Sequence, residues 1–323
     1  MDRSPGLIPV PYQVFYILIP TISILGNSLV VYVTIRCKHL RNVCNIFIAL
    51  ISAGDVLHMI AHYITIISHS VSSDHQLRQD ICTYAQLIPL FGLFFSSMLL
   101  LGVAVDRLLS LQRFYIFLVD IHKAAYMSVQ IGLSFFFALF MDIWAFIACT
   151  PEQRLVCAVT GPLQGTVYNV FAISIMVINI LIIICYAVFL IILKGTSINN
   201  DTMKNIYRSL IIISLMTIFG WFSTMIVAGV GQLIHLEIDR VYVNLLAGLF
   251  VNFACAMNFF VYYAVSSEYR RVFDKYVHIN SLKRTVRIKV QNSSDLVSMA
   301  PSKTVAKNAV SSTPLQKKNE SSK

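Results

Sequence analysis

The chain has 323 residues, 57% hydrophobic and 12% charged. A soluble domain carries about 25% charged residues, and the apolar residues here gather in runs long enough to cross a bilayer, which excludes an ordinary soluble protein. The net charge of +10 does not indicate nucleic acid, because from Ala264 onward there are 12 Lys or Arg against 4 Asp or Glu, a basic tail suited to anionic lipid.

Residues 1–11 are Pro-rich and form a short N-terminus. The first apolar run, 12–35, is too long for a signal peptide and ends in the basic stop Arg36, Lys38, His39 and Arg41, so it reads as a retained span. It holds Gly26 and Asn27, a small residue for close packing and a lone amide that bonds locally or joins a buried polar network. Span two, 43–67, carries Asp55 deep in its apolar part, where a carboxylate needs a partner, water or a proton. A polar connection to Asp80 follows.

The third stretch, Ile81 to Arg113, has Cys82 at one end and Asp106-Arg107 at the other, 25 residues after the cysteine. That spacing is roughly 38 Å of helix, close to the roughly 40 Å of a bilayer with its headgroups. The residues that follow, with Arg113, Asp120, His122 and Lys123, read as a loop. Span four is 124–148, with Asp142 and Trp144 near its end, and the loop 149–164 holds Cys149 and Cys157. Spans five, six and seven are 165–193, 206–233 and 241–265, interrupted by Asn169, Asn179 and Tyr186, by Trp221, and by Asn244, Asn252 and Asn258.

Seven spans place the termini on opposite sides. The loops after spans one, three and five are the basic ones, so the N-terminus is expected outside and the C-terminus in the cytoplasm. The expected fold class is therefore an all-α membrane protein, a seven-transmembrane bundle over 12–265. In 266–279, Tyr269, Val272, Phe273, Tyr276 and Val277 share one stripe, the pattern of an amphipathic membrane-surface helix. From 280 to 323 the tail is Ser, Thr, Asn and Lys, a composition expected to be disordered.

These features, in order and depth, resemble the rhodopsin-like G-protein-coupled receptors over about residues 12–277. Gly26-Asn27, Asp55 and Asp106-Arg107-Leu108 match the family's landmarks in the first three spans, with Leu where the family has Tyr. Phe219-Gly220-Trp221-Phe222-Ser223 resembles the Trp signature of span six without its Cys and Pro. Asn258-Phe259-Phe260-Val261-Tyr262 resembles Asn-Pro-x-x-Tyr without the Pro, and Tyr186 matches the inner tyrosine of span five. Leu40-Arg41-Asn42-Val43-Cys44-Asn45, the Asp106-Arg107-Leu108 form and Glu268-Tyr269-Arg270-Arg271-Val272-Phe273 are similar to nematode serpentine chemoreceptors of the srsx class.

The resemblance implies a chemosensory receptor, multi-pass in the plasma membrane and with sensory cilia as one location. It would bind an extracellular small molecule and activate a heterotrimeric G protein; the alternatives are a neuropeptide receptor of the same fold and a receptor-like protein with lost coupling. A biogenic amine is not expected, since no acid stands near Pro89, and covalent retinal is not expected, since no lysine lies between Lys204 and Lys275. Membrane lipid is an expected partner, and nucleic acid is not.

Arg107 is either a topology anchor snorkelling to the headgroups or, as the resemblance implies, a switch held by Asp106 at rest and released toward Tyr186, Tyr262 or an inserted G-protein helix. Asp55 is either a packing residue satisfied by Asn258, or part of a polar core with Asn27, Ser96 and Asn258 in which a sodium ion is the one candidate cofactor. Depth suggests Pro89, Gly92, Leu93, Tyr168, Asn169, Trp221, Gln232 and Asn244 for a ligand pocket. Cys82 is expected to pair with an outer-loop cysteine on the oxidising side. Cys157 is chosen over Cys149 because it lies in mid-loop, with a Cα separation of about 4.4–6.8 Å as the geometric check. No H-E-x-x-H, Walker or G-x-S-x-G motif is present, so an enzyme is not expected, and His58 and His62 read as packed or hydrogen-bonded residues rather than metal ligands.

Overall fold

The computed structural model describes residues 8–195, most of 211–223 together with residue 226, and 240–277. The expectations for most of span six, for Gln232 and for the tail 280–323 lie outside the described residues, as do the side chains of Asn244 and several neighbours.

Six helices are long and apolar enough to cross a membrane: α1 (Val10–Arg36), α2 (Val43–Val71), α3 (Gln79–Leu109), α5 (Lys123–Ile147), α6 (Gly165–Gly195) and α8 (Arg240–Val265). In hydrocarbon every backbone polar group must be satisfied within the segment, which is why such runs become helices. A shorter apolar helix, α7 (Ser214–Ser223), lies where span six is expected. The amphipathic α9 (Ser267–Tyr276) follows α8 and is capped by Ser266, whose hydroxyl accepts from Tyr269 N at 3.3 Å. Its apolar stripe buries Tyr269, Val272 and Phe273, with the Phe273 ring 4.9 Å from that of Phe259.

Two stretches differ from the sequence reading. Residues 114–121, expected as loop, form a helix, α4 (Phe114–Ile121), because their near-continuous apolar run sustains two turns. Phe114, Ile116, Phe117 and Ile121 are exposed on it. The connection after α2 and the loop after α5 contribute an antiparallel ribbon, β1 (Leu77–Arg78) with β2 (Arg154–Leu155), in the register Leu77↔Leu155 and Arg78↔Arg154. Cys82 and Cys157 are disulfide-bonded beside it, with a Cα separation of 5.4 Å. Gln79 N donates to Gln153 O at 2.8 Å, and Arg154 pairs with Asp74 across the ribbon. Helix α2 also runs four residues past its expected end at 67, to Val71.

Two glycines bring the helices close where the site needs them. A Cβ at Gly92 would lie 2.5 Å from Gly54 O and 2.7 Å from Leu57 Cβ, so α2 and α3 cross backbone on backbone. A Cβ at Gly26 would meet Phe259 Cβ at 2.8 Å, which locks α1 against α8. Small residues that let backbones approach are the usual basis of helix packing in lipid. The described residues up to Val277 form one compact unit.

Candidate functional site

Three polar layers lie along the bundle. Toward the disulfide end is a cavity of about 70 Å³ whose lining includes Tyr16, His58, His62, Tyr168, Trp221 and Asn252. Among its described lining residues there is no Lys, Arg, Asp or Glu. His62 Nε2 lies 3.0 Å from Asn252 Oδ1, the geometry of a donation in the tautomer that carries the proton there. The Asn252 Nδ2 group is enclosed and has no hydrogen-bond partner among the described residues, so the cavity wall offers an unanswered donor. Trp221 stands with its ring edge to Phe171 at 5.9 Å. Tyr16 donates to Leu245 O at 2.5 Å and lies 4.9 Å from the His62 ring, which ties α1, α2 and α8 together above the cavity.

Below it is a smaller cavity, about 30 Å³, whose lining includes Asp55, Ser96, Ser97, Asn258 and, shared with the first, His58 and Trp221. Asn258 Nδ2 donates to Asp55 Oδ2 at 2.8 Å and to Asn27 Oδ1 at 3.4 Å. Asn27 Nδ2 in turn donates to Cys255 O at 3.1 Å. The Gly54–Gly92 crossing sets Ser96 against the turn that carries Asp55. Carboxylate, hydroxyl and amide oxygens around a space large enough for one water or ion are a donor set that fits a hard cation such as sodium. Among the described residues no group of three or more His, Cys, Asp or Glu could hold a metal.

At the opposite end Asp106 is wholly buried and takes four hydrogen bonds. Its Oδ2 accepts from Arg107 Nε at 2.9 Å and from Arg107 Nη2. Its Oδ1 accepts from the hydroxyls of Tyr115 at 2.8 Å and Tyr126 at 2.9 Å. Burial, and then the Asp106 carboxylate, push the Tyr115 phenol above its ordinary value, so this group stays a donor. The Tyr186 hydroxyl accepts from Ser214 at 3.2 Å, and Tyr262 packs on Tyr269 with ring centroids 5.0 Å apart.

The structure brings Asn27, Asp55, Ser96 and Asn258 together, and it places Leu93, Tyr168 and Trp221 in the upper cavity. Three residues expected in the pocket do not line this cavity. Gly92 is a helix-crossing point filled by Gly54 and Leu57. Pro89 is buried in α3 outside the cavity lining, and Asn169 faces away from the bundle, exposed on α6. Tyr16, His58, His62, Phe171 and Asn252 line the cavity without having been expected there. For the two histidines a signal existed, since residues 55, 58 and 62 repeat at helical spacing and share one face of α2. Tyr115 and Tyr126 carried no pattern that pointed to Asp106.

Comparison with known proteins bears on the same architecture. The family model described as serpentine type 7TM GPCR chemoreceptor Srsx matches residues 20–277. The chain is similar to the somatostatin receptor type 5 of Rattus norvegicus, 29% identical over 34% of this chain and 30% of that protein. It is similar to the neuromedin-K receptor of Mus musculus, 24% identical over 62% of this chain and 45% of the relative. It is also similar to the QRFP-like peptide receptor of Branchiostoma floridae, 30% identical over 33% of this chain and 28% of the relative. The matches thus span less than half the length of each of these relatives. The match over most of the chain, on a bundle with this disulfide and this Asp-Arg pair, shows that the chain belongs to the Srsx family of serpentine seven-transmembrane G-protein-coupled chemoreceptors.

Proposed function

We propose that the chain is a plasma-membrane receptor that crosses the bilayer seven times, with its N-terminus outside and its tail, 280–323, in the cytoplasm. In this reading α9 lies along the inner leaflet. An extracellular peptide enters the cavity at the disulfide end, and the receptor then promotes nucleotide exchange on a heterotrimeric G protein. The observation that carries the reading is the buried Asp106–Arg107 lock, supported by two tyrosines, at the end opposite a cavity with an unanswered donor. Ligand binding shifts a population only through differential affinity for the two states. Here the ligand favours the state in which Arg107 leaves Asp106 and meets Tyr186, Tyr262 or the G protein.

A peptide is favoured because the relatives are named as receptors for somatostatin, neuromedin-K and a QRFP-like peptide. The cavity supports this choice. Sites that engulf a drug-sized ligand run to about 300–1,000 Å³, whereas this one admits only the tip of a ligand. Its uncharged, donor-bearing wall suits a neutral acceptor such as a peptide carbonyl. The family's chemoreceptor description favours a small molecule as the second reading. Asp55, Ser96 and Asn258 would hold a sodium ion in the resting state, where the ion supplies positive charge to the Asp55 carboxylate; His58 and Trp221, shared by both cavities, connect that core to the ligand.

The test is a cell-based G-protein activation screen with peptide, extract and volatile libraries, run beside Arg107→Ala and Trp221→Ala at matched surface expression. Peptides are expected to activate, Arg107→Ala to bind ligand without activating, and Trp221→Ala to shift the response. Wild-type signalling by Arg107→Ala would overturn the switch, and activation by volatiles alone would select the second reading.

A further inference from the structure

A second polar group sits in the membrane-spanning region, and the receptor mechanism leaves it unused. Asp142, on the outer half of α5, is only 4% exposed, and its Oδ1 is enclosed with no hydrogen-bond partner among the described residues. It lines a groove of about 410 Å³ between α3 and α5, walled by Tyr84, Leu87, Ile88, Phe91, Ile143 and Phe146 among others. Tyr84 and Ile88 are two-thirds exposed, and Tyr84 meets Phe146 edge-on at 5.4 Å, so the groove opens outward from the bundle under an aromatic rim. Both walls are spanning helices, and the opening therefore faces lipid. Asp142 lies five residues before the end of α5, about 7.5 Å along the axis at 1.5 Å per residue. That is the depth at which an amphiphile's polar head meets its apolar body.

We propose that this groove is a binding site for a membrane sterol, a rigid apolar molecule whose single hydroxyl bonds to the Asp142 carboxyl. An unpartnered carboxyl among apolar side chains is costly, and in hydrocarbon it calls for a partner. Asp142 is joined among the lining groups only by the Tyr84 hydroxyl as a polar side chain, so the site answers one donor. An ammonium would leave donors unanswered. A phospholipid headgroup would set its phosphate against the acid. A sterol matches both the lone polar contact and the aromatic and aliphatic walls.

The experiment uses the full-length receptor in phosphatidylcholine nanodiscs with a diazirine-bearing 3β-hydroxysterol as photoprobe. The competitors are the unlabelled 3β-hydroxysterol and its 3-methyl ether, which has no donor. Saturable labelling is expected within 84–91 or 139–146, with the hydroxysterol competing on the order of three- to tenfold better than the ether, the range of one intramembrane hydrogen bond. Asp142→Leu, which removes a buried polar group, should erase that preference while thermal unfolding shows the fold intact. Ile143→Trp should block labelling by filling the groove. Equal competition by the ether in wild type, a preference retained in Asp142→Leu, or no saturable labelling would each overturn the site. A receptor–receptor cross-link through Ile143→Cys that excludes the probe would also overturn it, since the groove would then be an interface between two copies. No readout uses signalling, so the outcome is independent of the receptor mechanism proposed above.

Discussion

Replacing Tyr126 by Phe removes one hydroxyl and leaves the ring packed 6.2 Å from Tyr115. The lost bond, 2.9 Å to Asp106 Oδ1, belongs to a carboxylate with no exposed surface. Hydrogen bonds to charged groups contribute about 1.5–3 kcal/mol. If the bond exists only while Asp106 grips Arg107, its loss moves the closed-to-open equilibrium by on the order of ten- to a hundredfold. A resting receptor with an open fraction of about 1% would then signal visibly without ligand. Tyr115→Phe removes the matching 2.8 Å bond from a half-buried residue, so its effect falls at the lower end of that range. Both hydroxyls meet the same oxygen, so the double substitution should depart from additivity. The assay is basal G-protein activation, read by energy transfer at matched surface expression. Unchanged basal activity in both single variants and in the double variant would refute the reasoning that these tyrosines hold the closed state.

Gly92→Val should lower the melting temperature of the purified receptor, because its Cβ would stand 2.5 Å from Gly54 O; about 1–3 kcal/mol is expected for overpacking, more than for Gly54→Ala, whose nearest contacts are 3.0 Å. Cys157→Ser opens a cross-link between residues 75 apart, and loop entropy sets the loss at about 4.5 kcal/mol, to be read as reduced surface expression and melting temperature. The Ser72 hydroxyl, together with Arg154, holds Asp74 below the usual carboxylate range. Its folded value is depressed, so its tether to the ribbon is present at neutral pH and is lost only as pH falls through that lowered value; hydrogen-exchange protection of 74–80 and 153–157, corrected for the intrinsic pH dependence of exchange, should persist through the ordinary carboxylate range and be lost only below it. Asp55→Asn should abolish the sodium dependence of agonist affinity, and a sodium effect of wild-type size in that variant would exclude the ion from the polar core.

Sequence by itself determined the spanning helices, because in lipid an apolar run of sufficient length has no other way to satisfy its backbone. The ends of α1, α3, α5 and α8 accordingly fall within a few residues of the apolar runs read along the chain. The lone polar residues were legible for the same reason: Asp55, Asn27 and Asn258 are conspicuous in hydrocarbon, and they meet in space. Only the tertiary structure decided which way each residue points. On α6 the apolar residues run all round the helix, so no stripe told that Tyr168 turns to the cavity while its neighbour Asn169 turns outward. Depth alone put Gly92 in the pocket wall, whereas the α2–α3 crossing needed it as a contact with Gly54. The partners of Asp106 came from residues 9 and 20 positions away, on α4 and α5, because the short helix after α3 and the start of α5 return the Tyr115 and Tyr126 hydroxyls to it. Periodicity within one helix carries no information about how neighbouring helices rotate, and that rotation fixed the cavity lining, the Arg107 lock and the orphaned carboxyl of Asp142.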